Sequence, residues 1–281
     1  MKIVHTISSL QSELKAMSNS DRNIGFVPTM GALHAGHAEL VRKCYTDGNL
    51  TVVSVFVNPT QFNDKSDLDK YPRTLEADCQ LLEKCGADIV FAPSVEEMYP
   101  QEDTRSFSYP PLDTVMEGYF RPGHFNGVCQ IVSKLFDAVK PNKAYFGEKD
   151  YQQLAIIKTM VEKEKYNIEI VPCPIVREPD GLAMSSRNTR LDERERKEAL
   201  LIYKTLKESL EKVKDSKVEE VRQFVESEIS KSNILKLEYF DIVDSNTLQS
   251  INKWEDTKSA VGCIAAFCGN TRLIDNITYT K

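Results

Sequence analysis

The run LTVVSVFV at residues 50–57 restricts the fold more than any other stretch of this chain. A strand with one wet face alternates apolar and polar residues, and this one does not. Both of its faces must be covered, as happens inside a parallel sheet with helices on either side. Further β-rich runs lie at 24–27, 88–91, 143–146 and 168–171, and helical patterns fall between several of them, at 38–45, 75–85, 127–139 and 152–163. Strands alternating with helices predict an α/β domain built on a parallel sheet over roughly the first 180 residues.

The chain changes character after Val176. Residues 198–213 place Leu200, Leu201, Tyr203, Leu206, Leu210 and Val213 near helical spacing, and 218–229 read as a second helix. Three short β-like runs follow, at 236–243, 260–268 and 271–277. This predicts a smaller α+β domain, with the boundary near 177–188. A length of 281 residues accommodates two domains at ~100–200 residues each.

Composition removes several classes of function. With 41% hydrophobic and 28% charged residues the chain is neither disordered nor fibrous. A net charge of −6 argues against a broad nucleic-acid surface. The longest clean apolar stretch, 260–269, is half of the ~20 residues a spanning helix needs, so no membrane span is expected. The opening MKIVHTISSLQSELKAM lacks an apolar block followed by a small-residue cleavage site, so no signal peptide is expected. Seven scattered cysteines without a C-x-x-C suit a reducing compartment and buried core thiols, not a disulfide framework or a zinc site.

Four segments carry chemistry. In GFVPTMGALHAGH (25–37) a strand runs into a glycine loop and a helix starts near Gly36-His37. Free N–H groups and the dipole at such a helix start make a natural anion site. His34 and His37, three apart, can aim two imidazoles at one phosphate, with Gly31 and Gly36 allowing close approach. The pattern is neither a Walker loop nor G-x-G-x-x-G. In FGEKDYQQ (146–153), Lys149 can place a point charge on a phosphate and Gln153 can both donate and accept; a solvated turn capped by Asp150 is the alternative. In GLAMSSRN (181–188), two hydroxyls, Arg187 and backbone amides form a phosphate-binding kit, or else a polar linker. In VNPTQF (57–62), after the second strand, Asn58 and Gln61 offer an uncharged hydrogen-bonding wall, or else a simple turn. Arg121-Pro122-Gly123-His124-Phe125 reads as a structural cap more readily than an anion contact, and 192–198 (DERERKE) as a solvated helix face.

Taken together these segments resemble the pantothenate synthetase (pantoate–beta-alanine ligase) family. The resembling stretches are VPTMGALHAGH (27–37), SVFVNPTQF (54–62), DLDKYPRTLEAD (67–78), RPGHFNGV (121–128), FGEKDYQQL (146–154), IVREPDGLAMSSRN (175–188) and TRLIDNI (271–277). Several long motifs in order are far more specific than a lone HxGH. The resemblance implies a Rossmann-like parallel sheet carrying an HxGH nucleotidyltransferase-type site. Residues 1–180 would form the ATP- and pantoate-binding domain and 181–281 a C-terminal lid. It implies a cytoplasmic homodimer that makes pantothenate through pantoyl adenylate, releasing pyrophosphate and then AMP.

By resemblance His37, His34 and Lys149 are the catalytic residues. Met30, Gly31, His34, Gly36, His37, Gly147, Glu148, Lys149, Asp150, Val176, Met184, Ser185, Ser186 and Arg187 are implied at the ATP site, the last four in a KMSKS-like loop. Gln61 and Gln153 match the pantoate pair, with Gln61 also toward β-alanine. Mg²⁺ would bridge phosphates, with no protein ligand assigned. The sequence departs from the family pattern at Asn63, Gln130 and Thr189-Arg190, none of them a named substrate contact. Three other readings stand beside this one. A tRNA synthetase relative also uses these motifs, but 281 residues at pI 5.4 leave little room for a tRNA-binding surface. A different HxGH nucleotidylyltransferase would need extra cations for a phosphorylated acceptor, and the Asn58, Gln61 and Gln153 set is neutral. A non-catalytic nucleotide sensor would retain the glycines while losing His34, His37 or Lys149; all are present.

Overall fold

The computed structural model describes residues 1–17, 22–63 and 65–279. In chain order the elements are β1 (Lys2–Val4), α1 (Ile7–Met17), β2 (Ile24–Thr29), α2 (Ala35–Thr46), β3 (Leu50–Val55), α3 (Lys65–Asp69), α4 (Leu75–Lys84), β4 (Ile89–Phe91) and α5 (Val95–Met98). Next come α6 (Met116–Phe120), α7 (His124–Val139), β5 (Lys143–Gly147), α8 (Tyr151–Lys163), β6 (Glu169–Cys173), α9 (Glu193–Lys212), α10 (Val218–Ser230), β7 (Leu235–Asp244), β8 (Ala260–Cys268) and β9 (Thr271–Tyr279).

The chain divides into two compact units. The first comprises Met1–Tyr109, Arg121–Glu148 and Ile156–Pro174. Its six strands form one parallel sheet in the order β1-β4-β3-β2-β5-β6. Thr51, Val52, Val53 and Ser54 of β3 are completely buried, which explains the lack of alternation in that run. Val27, Val53 and Val90 face α2 and α4 through Val41, Cys44 and Leu82. The neighbouring Phe26 meets Phe136 of α7 edge-on, with centroids 6.4 Å apart. Five elements lie outside the sequence reading: β1, α1 and the short helices α3, α5 and α6. β1 is a three-residue edge strand, too short for a periodic signal. The α1 helix carries its apolar residues at 7, 10, 14 and 17, a spacing present in the sequence.

The second unit comprises Pro110–Phe120, Lys149–Ala155 and Ile175–Lys281. Its sheet is antiparallel, in the order β7-β8-β9. Ile202 and Leu206 of α9 and Val221 and Val225 of α10 share one core with Phe240, Ile264 and Leu273 from the three strands. The charged run at 192–198 is the start of α9. Asp192 caps it, accepting from the Glu195 N–H at 2.7 Å while Glu195 accepts from the Asp192 N–H at 3.0 Å.

Candidate functional site

In the first unit the sheet order reverses between β2 and β5, which pair at Gly25–Lys143 and Phe26–Ala144. Ligands of open α/β sheets bind beyond the carboxyl ends of the strands at such a switch point. The loop from Met30 to His34 leaves β2 there, and Gly147-Glu148 leaves β5 there.

The loop is held in an uncommon shape. Gly31 has φ +79° and Ala32 φ +50°, both left-handed, a region that costs an alanine about 1–2 kcal/mol. The Asp78 side chain, from α4, holds it there. Its carboxylate accepts from the Ala32 N–H at 3.0 Å and the Leu33 N–H at 2.8 Å, and from the Thr74 hydroxyl at 3.2 Å. Asp78 is only 3% exposed.

The helix that follows starts at Ala35, slightly earlier than expected, because His34 is its cap. His34 Nδ1 accepts from the Gly36 N–H at 3.1 Å, and His37 Nδ1 accepts from the His34 N–H at 3.4 Å. This is a capping box made of two imidazoles, whose centroids lie 4.1 Å apart. A neutral ring whose Nδ1 accepts carries its hydrogen on Nε2, so the cap sets the tautomer and makes each Nε2 a donor. The expectation of free loop amides needs correction. The Ala32, Leu33 and Gly36 N–H groups are committed to Asp78 and His34.

Gln61 sits in the short turn Pro59–Gln61 after β3. Its Oε1 accepts from Asn58 Nδ2 at 3.1 Å and its Nε2 donates to Met30 Sδ at 3.0 Å. Asn58 is 1% exposed; it also donates to the Gly127 carbonyl at 3.1 Å and accepts from the Tyr99 hydroxyl at 2.8 Å. Burial pushes the Tyr99 phenol above its ordinary pKa, so it stays a donor. His124 Nδ1 lies 2.8 Å from the Gln61 carbonyl and must be the donor. The 121–125 segment is thereby tied to the Gln61 turn through His124, while Gly123 occupies the cap position of α7 without a side-chain cap hydrogen bond. Gly127 permits the close approach of α7: a Cβ there would lie 2.6 Å from the Thr60 carbonyl oxygen. Next to this frame a cleft of about 270 Å³ opens beyond β3 and β4, with Met30, Gly31, Arg73, Asp78 and Ser94 in its wall.

The remaining expected residues belong to the second unit, apart from Gly147 and Glu148. Lys149 and Asp150 lie in a single 3-10 turn ahead of α8, half-buried, and Gln153 is half-buried in the first turn of α8. Its neighbour Gln152 is buried and structural, accepting from the Glu117 N–H at 3.0 Å and donating to the Leu112 and Val115 carbonyls. Residues 176–184 form a hairpin, closed by Met184 N–H to the Val176 carbonyl at 3.0 Å and by an Arg177–Ala183 bridge. Ser185 caps the 3-10 turn Ser186–Arg190, its hydroxyl accepting from the Arg187 N–H at 3.2 Å. Asn188 ties that turn to Glu178 and to the Ala183 carbonyl.

Comparison with known proteins decides between the open readings. The profile of the pantoate-beta-alanine ligase family matches residues 2–278. The chain belongs to the pantoate–beta-alanine ligase family. Pantothenate synthetase of Bacteroides thetaiotaomicron is 65% identical, over all of both chains. The crystal structure of pantothenate synthetase from Thermus thermophilus superposes with a TM-score of 0.93 at 42% identity, covering 99% of each chain. A Francisella tularensis pantoate-beta-alanine ligase, solved as a complex with beta-gamma ATP and beta-alanine, gives 0.80 at 36% identity, covering 99% of this chain and 97% of the other. Members of this family are carbon–nitrogen ligases, and the chain is one. The sequence expectation of an α/β ligase of this family therefore holds, and the six-stranded parallel sheet and the small antiparallel one are its fold.

Three positions that depart from the family pattern have local partners. Asn63 donates to the Pro122 carbonyl at 2.6 Å. Gln130 is 6% exposed and donates to the Asp103 and Arg105 carbonyls at 3.0 and 2.7 Å, filling its place with hydrogen bonds. Thr189 donates back to the Ser186 carbonyl at 2.9 Å. Sequence reasoning missed Asp78 altogether. It stands inside DLDKYPRTLEAD (67–78), quoted for the resemblance, but nothing local marks one acid there as the partner of a loop 45 residues away.

Proposed function

We propose that the chain makes pantothenate from pantoate, β-alanine and ATP in two steps. The pantoate carboxylate attacks the α-phosphorus of ATP and pyrophosphate leaves. The β-alanine amine then attacks the acyl carbon of pantoyl adenylate and AMP leaves. A carboxylate is a poor acyl donor, and adenylation gives it a good leaving group. The observation that carries this reading is the double-histidine cap at the switch point, which turns both Nδ1 atoms to the backbone. Two preset Nε2–H donors are what a reaction that builds charge on phosphate oxygens requires, because fixed donors need no reorganisation as charge develops.

In this reading His34 and His37 donate to the phosphates, and Lys149 adds a positive charge. Met30, Gly31, Gly36, Gly147, Glu148, Asp150 and Val176 line the nucleotide, with Met184, Ser185, Ser186 and Arg187 as the mobile phosphate-binding loop. Gln61 and Gln153 hold pantoate, and Gln61 also serves β-alanine; the Asn58 and Met30 contacts support this by fixing the Gln61 amide. Residues 1–180 serve as the ATP- and pantoate-binding domain and 181–281 as the lid. Mg²⁺ would be held by phosphate oxygens and water, because such ions keep waters and substrate oxygens as ligands. A cytoplasmic homodimer completes the proposal. The seven buried free cysteines suit the reducing compartment in this reading.

Incubation with pantoate, β-alanine, ATP and Mg²⁺ is expected to yield pantothenate and AMP in equal amounts. ATP–pyrophosphate exchange is expected only when pantoate and Mg²⁺ are both supplied. Exchange driven by another acid but not by pantoate would overturn the substrate assignment.

A further inference from the structure

Lys149 opens a short segment, Lys149–Ala155, that belongs to the second unit. This segment is fastened to β9 at its first residue. The Asn276 side-chain amide donates to the Lys149 carbonyl at 3.0 Å, and Asn276 is 6% exposed. The preceding residue on the same strand, Asp275, is 4% exposed and accepts both arms of the Arg177 guanidinium, at 2.6 and 2.9 Å. Arg177 stacks on the Tyr203 ring at 3.6 Å from its centroid and donates to the Gly181 carbonyl at 3.2 Å. It thereby fixes the root of the hairpin from which Met184–Arg187 emerge. Burial raises the Asp275 pKa, with Arg177 and the more distant Lys149 charge pulling the other way. Two successive residues of one strand thus hold two segments that are far apart in sequence.

We propose that Asn276 is a positioning residue for ATP, fixing the backbone of Lys149 on the strand that also anchors the Met184–Arg187 loop through Asp275. This rests on the reading of Lys149 as a phosphate contact. The physical argument is the reach of a lysine. Its ammonium rides on a flexible four-carbon stem, and a stem with an unfixed root spreads the charge over a larger volume. Holding the root leaves fewer positions to lose on binding. Asparagine suits the task because it offers N–H donors to a carbonyl at any pH; an ionised aspartate would offer only acceptors.

The test is a double-mutant cycle in ATP affinity, measured by titration calorimetry on the full chain without pantoate, using Asn276→Ala, Lys149→Ala and the double variant. Asn276→Ala is expected to weaken ATP binding about five- to tenfold, the scale of one hydrogen bond. The double variant is expected to bind no more weakly than Lys149→Ala, because Asn276 acts through the ammonium. Asn276→Asp is expected to bind more weakly than Asn276→Ala. Asn276→Ser, which keeps a donor, serves if the alanine variant does not fold, with part of the affinity retained. Affinity within twofold of the parent for Asn276→Ala would overturn the proposal, as would losses that simply multiply in the double variant. A parent protein that binds ATP yet makes no pantothenate would remove the assigned reaction, while the cycle still decides the positioning.

Discussion

Asp78→Asn is the substitution that most directly probes how the phosphate loop is built. The native carboxylate is buried and accepts three hydrogen bonds, two of them from the backbone of the left-handed turn. Asparagine keeps the shape, removes the charge and turns one oxygen into a donor that faces an N–H. One charged hydrogen bond, normally about 1.5–3 kcal/mol, is lost, and one buried amide is left without an acceptor at about 1–3 kcal/mol. The two overlap, so a loss of about 2–4 kcal/mol is expected. At about 2–4 °C per kcal/mol for a chain of this size, the melting temperature should fall on the order of 5–15 °C. The functional effect follows from the strain. With one anchor gone, the φ +50° conformation of Ala32 relaxes, and the imidazole cap that begins two residues later loses its alignment. ATP–pyrophosphate exchange at 25 °C, where the variant is still folded, should fall by about 10–100-fold, because sub-ångström misplacement of catalytic groups has costs of that order. Circular dichroism melts and the exchange assay check both halves. A variant that melts within 2 °C of the parent and exchanges at full rate would refute the reasoning that Asp78 sets the loop.

Other expectations are more compact. His37→Ala should fold and lose about 10²–10³-fold in exchange rate, the cost of one donor to developing charge; near-parental turnover would remove His37 from the mechanism. Gly127→Ala would put a methyl 2.6 Å from the Thr60 carbonyl oxygen, so the Gln61 turn must shift; the KM for pantoate should rise at least several-fold, more than the KM for ATP, and equal changes would count against the pantoate role of Gln61. The hydrogen bonds from Arg105 hold the Asp103 carboxyl well below the ordinary carboxylate pKa, with Lys134 at 3.5 Å assisting. A lowered folded-state pKa means that this stabilisation is complete above pH ~4 and is lost as pH falls further. Denaturant titrations between pH 7 and pH 2 should show a shallower acid loss in Asp103→Asn than in the parent, and identical profiles would contradict the pairing.

What the sequence determined by itself is local or motif-borne. The uninterrupted apolar run at 50–57 dictated a strand covered on both faces, because no other placement removes that many side chains from water. The i, i+3 spacing of His34 and His37 put both rings on the first turn of one helix wherever that helix packs. The ordered motifs from residue 27 to residue 277 carried the family.

Tertiary structure decided the rest. Asp78 reaches back 45 residues to the Leu33 N–H, Asn276 reaches back 127 to Lys149, and Arg177 and Asp275 pair across 98. Each of these side chains is an ordinary polar residue in its own neighbourhood, with no period or spacing to mark it. The same holds for 110–120 and 149–155, which join the second unit although they lie in the first half of the chain and next to its middle. Hydrophobic periodicity records which face of an element is buried, whereas a buried donor or acceptor is satisfied by whatever the folded chain brings within about 3 Å, and that partner is known only when the strands have been ordered.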